Sequence, residues 1–181
     1  MRTFLAIKVN PNRAIQSFYN AVKKTKGDLK PVKLEQLHIT LKFFGEIQKD
    51  MLEKITDVVR SSTTHVCSFS FDMAGCGAFP NMNYLRVIWL GLKNHERLLS
   101  LGNQLQESFE ELGFKKEKFT PHLTIFRIKS AKNKKKILEV LEEYKNTSFG
   151  SVKVNQLLLM ESTLTQKGPI YSVLQRFELE R

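Results

Sequence analysis

His38-Ile39-Thr40-Leu41 and, in the second half of the chain, His122-Leu123-Thr124-Ile125 are one pattern written twice: histidine, aliphatic, threonine, aliphatic. Each reads as a β-strand with period-two alternation. Positions i and i+2 of a strand share a face. His38 and Thr40 then point one way while Ile39 and Leu41 point into a core, and His122 and Thr124 stand against Leu123 and Ile125 in the same sense. A strand with an imidazole and a hydroxyl on one side and aliphatics on the other can floor a polar cleft.

Thr3–Val9 reads as a buried strand, and Asn10-Pro11 as a helix start followed by Ala14, Ile15, Phe18, Ala21 and Val22 at helical spacing. Lys30–Lys33 is short enough for one strand, Leu34–Gln36 leads into the motif strand over 37–44, and Gly45 stops it. Ile47, Met51, Ile55, Val58 and Val59 mark a helix over 48–60. Phe69 and Phe71 alternate like a strand, Gly75–Asn81 reads as a loop, and Tyr84–Leu90 as a strand. Asn94 can cap a helix that presents Leu98, Leu101, Leu105, Phe109 and Leu112 and stops at Gly113. The second motif strand follows at 119–128, and Ser130 can cap a helix with Ile137, Val140, Leu141 and Tyr144 inward. Val152–Met160 and Ile170–Leu179 read as strands, joined by a hairpin at Thr165–Pro169.

Each half runs strand, helix, motif strand, helix, strands. That order is an internal duplication in which little but the two tetrads is retained. Two such halves make an α+β fold, two sheets facing one another with helices outside. With 181 residues and 41% hydrophobic content, the chain suits one domain, 1–181, with a sizeable core.

The chain holds 29 basic and 18 acidic residues, a net charge of +11. This suits a polyanionic partner such as nucleic acid, with a lysine-rich solvated surface as the alternative. Cys67 and Cys76 offer neither a disulfide framework nor a zinc spacing, so free thiols in a reducing compartment are expected. Met1–Val9 lacks the form of a signal peptide, and no stretch reaches about 18 uninterrupted apolar residues. A cytoplasmic protein with no membrane partner is the expectation.

If the two motif strands converge on one cleft, two imidazoles meet there. Histidine exchanges protons near neutral pH, so one neutral and one protonated ring make a base and an acid. Threonine hydroxyls donate to non-bridging phosphate oxygens. The set fits phosphodiester chemistry without a metal. Other chemistries fit worse. There is no G-x-S-x-G elbow, no P-loop and no dinucleotide glycine fingerprint. Cys67, Cys76, His65 and His95 lack metal-site spacing, and both of those histidines are expected in solvent.

The wider stretches Leu37–Glu46 and Pro121–Arg127, with Met1–Ile7, Phe79-Pro80-Asn81, Arg86–Trp89, Leu112-Gly113-Phe114, Glu161–Thr165 and Lys167–Tyr171, give the chain a resemblance along its whole length. It resembles the RNA 2′,3′-cyclic phosphodiesterases of the 2H phosphoesterase superfamily, historically called 2′-5′ RNA ligases. The resemblance implies a bilobed α+β fold with the histidines at the interface of the lobes. It also implies metal-independent hydrolysis of RNA 2′,3′-cyclic phosphate ends to 2′-phosphate ends, with no cofactor. By the same resemblance His38 and His122 are the acid–base pair, and Thr40, Thr124 and Arg127 hold the phosphate. Small cyclic nucleotides are the alternative substrate. End joining by the reverse reaction and a non-catalytic RNA-binding role are alternative functions. A monomer is expected.

Parity raises a difficulty at Arg127, an odd number of residues from His122. An unbroken strand points it away from the cleft, so a bulge, a strand end or a reach around the rim is required. Lys42 shares the His38 face by parity and can add charge to the cleft. Phe79 and Tyr84 can stack on a nucleobase, with core packing as the alternative. The run Lys132–Lys136 opens a helix against its dipole and can contact RNA or simply face solvent. Which histidine is the base is open at this level.

Overall fold

Arg2–Lys8 (β1) is buried on both faces from Thr3 to Ile7, as a central strand must be. In a computed structural model describing residues 1–166 and 168–181, β1 lies inside a four-stranded antiparallel sheet. Its neighbours are His38–Glu46 (β3) on one side and Gln156–Thr165 (β8) on the other, followed by Gly168–Glu178 (β9). Lys167, in the expected hairpin, lies outside the described residues. The second sheet is five-stranded, in the order Leu29–Pro31 (β2), Leu123–Ile128 (β6), Leu85–Lys93 (β5), Phe69–Pro80 (β4), Ser148–Val154 (β7). The two motif strands, β3 and β6, approach each other between the sheets.

Among the described residues, four α-helices cover the outer faces. They are Arg13–Lys24 (α1), Lys49–Thr63 (α2), Glu96–Glu111 (α3) and Lys134–Tyr144 (α4). Phe18 of α1 meets Tyr144 of α4 and Phe149 of β7 edge-on, so α1 and α4 back the second sheet. Phe109 of α3 meets Phe44 of β3 at 4.8 Å, and α2 packs on α3 and β9, so these two back the first. Burying a side chain such as Phe18 contributes about 1.5–3 kcal/mol. No helix among the described residues is long and apolar enough to cross a membrane.

The duplicated order is present, but its halves are interleaved in space. β1 and β3 share a sheet with β8 and β9 from the far end of the chain, while β4 from the first half joins β5, β6 and β7. The helix after β1 and the helix after β5 each cross to the opposite sheet.

Several sequence expectations shift. The run Val152–Met160 is two strands that separate at Asn155 into different sheets. The stretch Gly75–Asn81 forms most of the end of β4 rather than a loop. Its glycines serve close approach: Gly75 has φ +72 at a bulge, and a Cβ on Gly77 would lie 2.4 Å from the Trp89 ring opposite it. The N-cap of α1 is Asn12, whose side chain accepts from the Ile15 amide, rather than Asn10. Asn94 is not the cap of α3. It sits at φ 51 and its side chain donates to Asp72, leaving His95 at the cap position. Ser130 is not the cap of α4 either; Asn133, at φ 56, donates to Thr25 and Lys26 at the end of α1.

Candidate active site

His122 stands just ahead of β6, which begins at Leu123 rather than at 119, because Pro121 has no amide to give to a ladder and holds Thr120 extended. The Thr120 carbonyl takes a hydrogen bond from His122 Nδ1 at 2.8 Å. His38 has the same arrangement, with Nδ1 donating to the Gln36 carbonyl at 2.7 Å. In each tetrad the carbonyl two residues back fixes the ring, placing the proton on Nδ1 and leaving Nε2 for chemistry. His38, Thr40, His122, Thr124 and Arg127 all line one cavity of about 430 Å³ between the sheets.

The register explains how Arg127 reaches it. Ile88 faces Phe126, but the next residue, Trp89, faces Thr124, so Ile125 is an extra residue in β6. Ile125 and Phe126 are both fully buried, and alternation resumes one step later with Arg127 outward on the Thr124 side. The first tetrad carries the same bulge. Leu5 faces Lys42 and Ala6 faces Thr40, which leaves Leu41 as the extra residue in β3. The two motif strands therefore share a bulge three residues after each histidine. The residue in the place of Arg127 on β3 is Phe43, 44% exposed and also lining the cavity.

That bulge removes Lys42 from the cleft, contrary to simple parity. Lys42 is 4% exposed and turned to the other face. Its Nζ donates to Gln106 Oε1 at 3.1 Å and to the Lys115 carbonyl at 2.6 Å, with Glu117 at 3.6 Å. Gln106 in turn donates to the Leu41 carbonyl at 2.9 Å. Lys42 thus ties β3 to α3 and to the segment that leads on to His122.

Of the two aromatic candidates, Phe79 meets His122 edge-on at 4.8 Å and Trp89 at 5.2 Å, so it backs the histidine. Tyr84 is 54% exposed and lines a separate, smaller cavity beneath Arg86, whose guanidinium lies 4.6 Å over its ring. His65 is exposed beside Glu180, whereas His95 is half-buried and its Nδ1 has no partner among the described residues. The Cys76 thiol donates to the Leu141 carbonyl, and burial pushes its pKa up to about 11. Cys67 and Cys76 are free, and the described residues contain no group of three or more His, Cys, Asp or Glu arranged to hold a metal ion.

Several cavity residues escaped the sequence reading. The His38 ring lies between Phe4, at 4.9 Å, and Tyr171, at 5.3 Å and perpendicular to it. Gln36 donates from its side-chain amide to the Pro169 carbonyl at 3.1 Å, joining the His38 anchor to the start of β9. Arg2 lies 5.0 Å over the Phe43 ring. Strand register across β1, β3 and β8 is what brings these together, and register is not written in a single strand. Burial holds the His38 pKa below the ordinary 6.5, the Gln36 carbonyl acting in the opposite sense and the Arg127 charge lowering it further. Burial also raises the Tyr171 phenol, with Arg127 and Arg2 opposing.

Known proteins share this arrangement of elements. A family model described as the AKAP7 2′5′ RNA ligase-like domain matches residues 4–179. A protein of Methanocaldococcus jannaschii named RNA 2′,3′-cyclic phosphodiesterase is 40% identical, covering 98% of this chain and 100% of its own. A protein of the same name from Methanothermobacter thermautotrophicus is 36% identical, covering 99% of each. Among solved structures, TT0787 of Thermus thermophilus superposes with a TM-score of 0.79 at 29% identity, over 99% of this chain and 98% of that one. LigT of E. coli in its apo form shares the fold, with a TM-score of 0.72 at 23% identity, over 99% and 98% of the two chains. With a family model that spans residues 4–179 and relatives that match it along nearly its whole length, the chain belongs to the 2′-5′ RNA ligase-like family of 2H phosphoesterases.

Proposed function

We propose that the protein hydrolyses the 2′,3′-cyclic phosphate at an RNA end to a 2′-phosphate, without a metal ion, and that His38 and His122 are its base and acid. One observation carries this reading: both Nδ1 atoms are committed to a carbonyl two residues back, and both rings line one cavity that also holds Thr40, Thr124 and Arg127. The activity named for the full-length relatives supports the reaction class.

His38 is the better base. Its buried surroundings favour the neutral ring, whose Nε2 can take a proton at neutral pH. Water attacks phosphorus as His38 Nε2 removes its proton. The bond from phosphorus to O3′ breaks, and His122 Nε2 gives that oxygen a proton, leaving a 3′-hydroxyl and a 2′-phosphate. Arg127 neutralises the single negative charge of the cyclic diester, and the two threonine hydroxyls donate to its non-bridging oxygens. Charge that develops on those oxygens meets donors already in place.

The test is product analysis in excess chelator, using an oligonucleotide with a 2′,3′-cyclic end. A 2′-phosphate product is expected, with His38→Ala and His122→Ala each lowering kcat by about 10²–10⁴. The double variant should fall far short of the product of the two losses, because the pair acts as a unit. Activity abolished by the chelator, or untouched by either substitution, overturns the mechanism.

A further inference from the structure

The cavity holds more positive charge than one cyclic phosphate needs. Arg2, Lys30, Lys33 and Arg127 line it, and among the described residues no aspartate or glutamate does. A 2′,3′-cyclic phosphodiester carries one negative charge, which Arg127 matches. Arg2 is stacked on Phe43. Lys30 and Lys33 are exposed, and among the described residues neither is paired with a carboxylate.

Their position is as informative as their charge. Lys30 is the direct register partner of Arg127 across β2 and β6, so the two side chains share a face. Neighbouring strands stand about 4.8 Å apart, which puts Lys30 one step outward from the phosphate-binding arginine. Lys33 follows just beyond β2, after the Val32 amide has bonded to the Ile125 carbonyl at the bulge. β2 is also where the duplication is broken. β3 and β6 correspond, but β3 is the edge of its sheet, whereas β6 is covered by β2. The strand without a counterpart is thus the one that sets cations at the rim beside Arg127.

We propose that Lys30 and Lys33 form a second phosphate subsite. It takes the internucleotide phosphate on the 5′ side of the terminal nucleotide, one ribose from the reacting phosphorus. The substrate is then an RNA strand rather than a free cyclic mononucleotide, which has no second phosphate to offer. This rests on the cyclic phosphodiesterase reading above.

The experiment compares kcat/KM for a short RNA ending in a 2′,3′-cyclic phosphate with that for adenosine 2′,3′-cyclic monophosphate. Both are measured in the unsubstituted protein and in Lys30→Ala/Lys33→Ala. The unsubstituted protein should prefer the RNA, and the double substitution should cut the ratio of the two constants by about ten-fold or more. The salt dependence of RNA binding should also flatten, by about 0.7 in log–log slope for each lysine lost. An equal loss on both substrates places the lysines at the reacting phosphate and overturns the subsite. No loss on either, or no preference for RNA in the unsubstituted protein, overturns it too. If the unsubstituted protein turns over neither substrate, the phosphodiesterase reading itself fails and the subsite with it.

Discussion

His38 and His122 share a backbone anchor but not an environment, and the difference sets a pH dependence. His38 is enclosed by Phe4 and Tyr171 and feels the Arg127 charge, so burial first and the arginine last hold its pKa below 6.5. In the window between that lowered value and 6.5 the unfolded chain binds a proton at this site that the folded protein does not. Stability therefore rises with pH through the window and is lost as pH falls below 6.5. Activity should follow the same group: the acid limb of kcat/KM is expected below pH 6.5 and belongs to His38. Replacing Arg127 by Gln removes a nearby positive charge, so the acid limb should move up towards 6.5. The same change should cost about 10²–10³ in kcat by removing a donor to the phosphoryl oxygens. A pH–rate profile of the variant checks both, and an acid limb that moves down refutes the pairing of Arg127 with His38.

At the scale of the strand, the repeated bulge does two jobs at once, and Lys42 exposes the second. By turning Phe43 and Arg127 into the cleft it also turns Lys42 into the interior, where it satisfies Gln106 and the Lys115 carbonyl. Lys42→Met leaves those acceptors buried without a donor and should cost about 1–3 kcal/mol in urea unfolding. It should also lower kcat, since Lys115 opens the segment that delivers Thr120 and His122. Gly77→Ala tests β4 in the opposite sense. Its methyl meets the Trp89 indole at 2.4 Å, an overpacking worth about 1–3 kcal/mol, and Trp89 is the sole tryptophan, so its emission should report the displacement. Unchanged emission and stability would show that β4 yields freely there. These strands also mark how far the sequence could be read. The tetrads, the amphipathic helices and the strong runs at β1 and β5 were legible, because period and burial agree along them. The odd spacing of Arg127 from His122 admitted a bulge in β6 but did not place it, and nothing marked the matching one in β3, since an inserted apolar residue, Ile125 or Leu41, leaves no local mark and only the partner strand shows the slip. Glycines at β4 read as a loop because close approach to Trp89 and a strand-interior bulge call for the same residue that a turn does. The break at Asn155 was hidden by the apolar residues of β7 and β8 on either side of it.

For the molecule as a whole, interleaving matters more than duplication. Neither sheet can be assembled from one half of the chain: β1 and β3 lack β8 and β9 until the end of the chain returns, and β4 has no neighbour before β5 and β7. One helix on each sheet comes from the other half: α1 packs with α4 on the second sheet, and α3 packs with α2 on the first. A chain of 181 residues exceeds the size at which two-state unfolding is the usual expectation. Shared strands and exchanged helices nonetheless leave no sheet that can melt while the other stays intact. Trp89 fluorescence, which reports the second sheet, and far-UV circular dichroism, which reports both, should therefore give coincident urea transitions. Hydrogen exchange tests this locally, because Leu5 in β1 and Ile88 in β5 are both fully buried and occupy matching places in their sheets. Their amides should open with the same free energy. A phosphate-bearing product held at 100 times its Kd should raise both values together, by about 2.7 kcal/mol. The cleft it occupies is lined from both sheets, so a ligand that stabilised only one of the two amides would mean that the halves unfold as separate units.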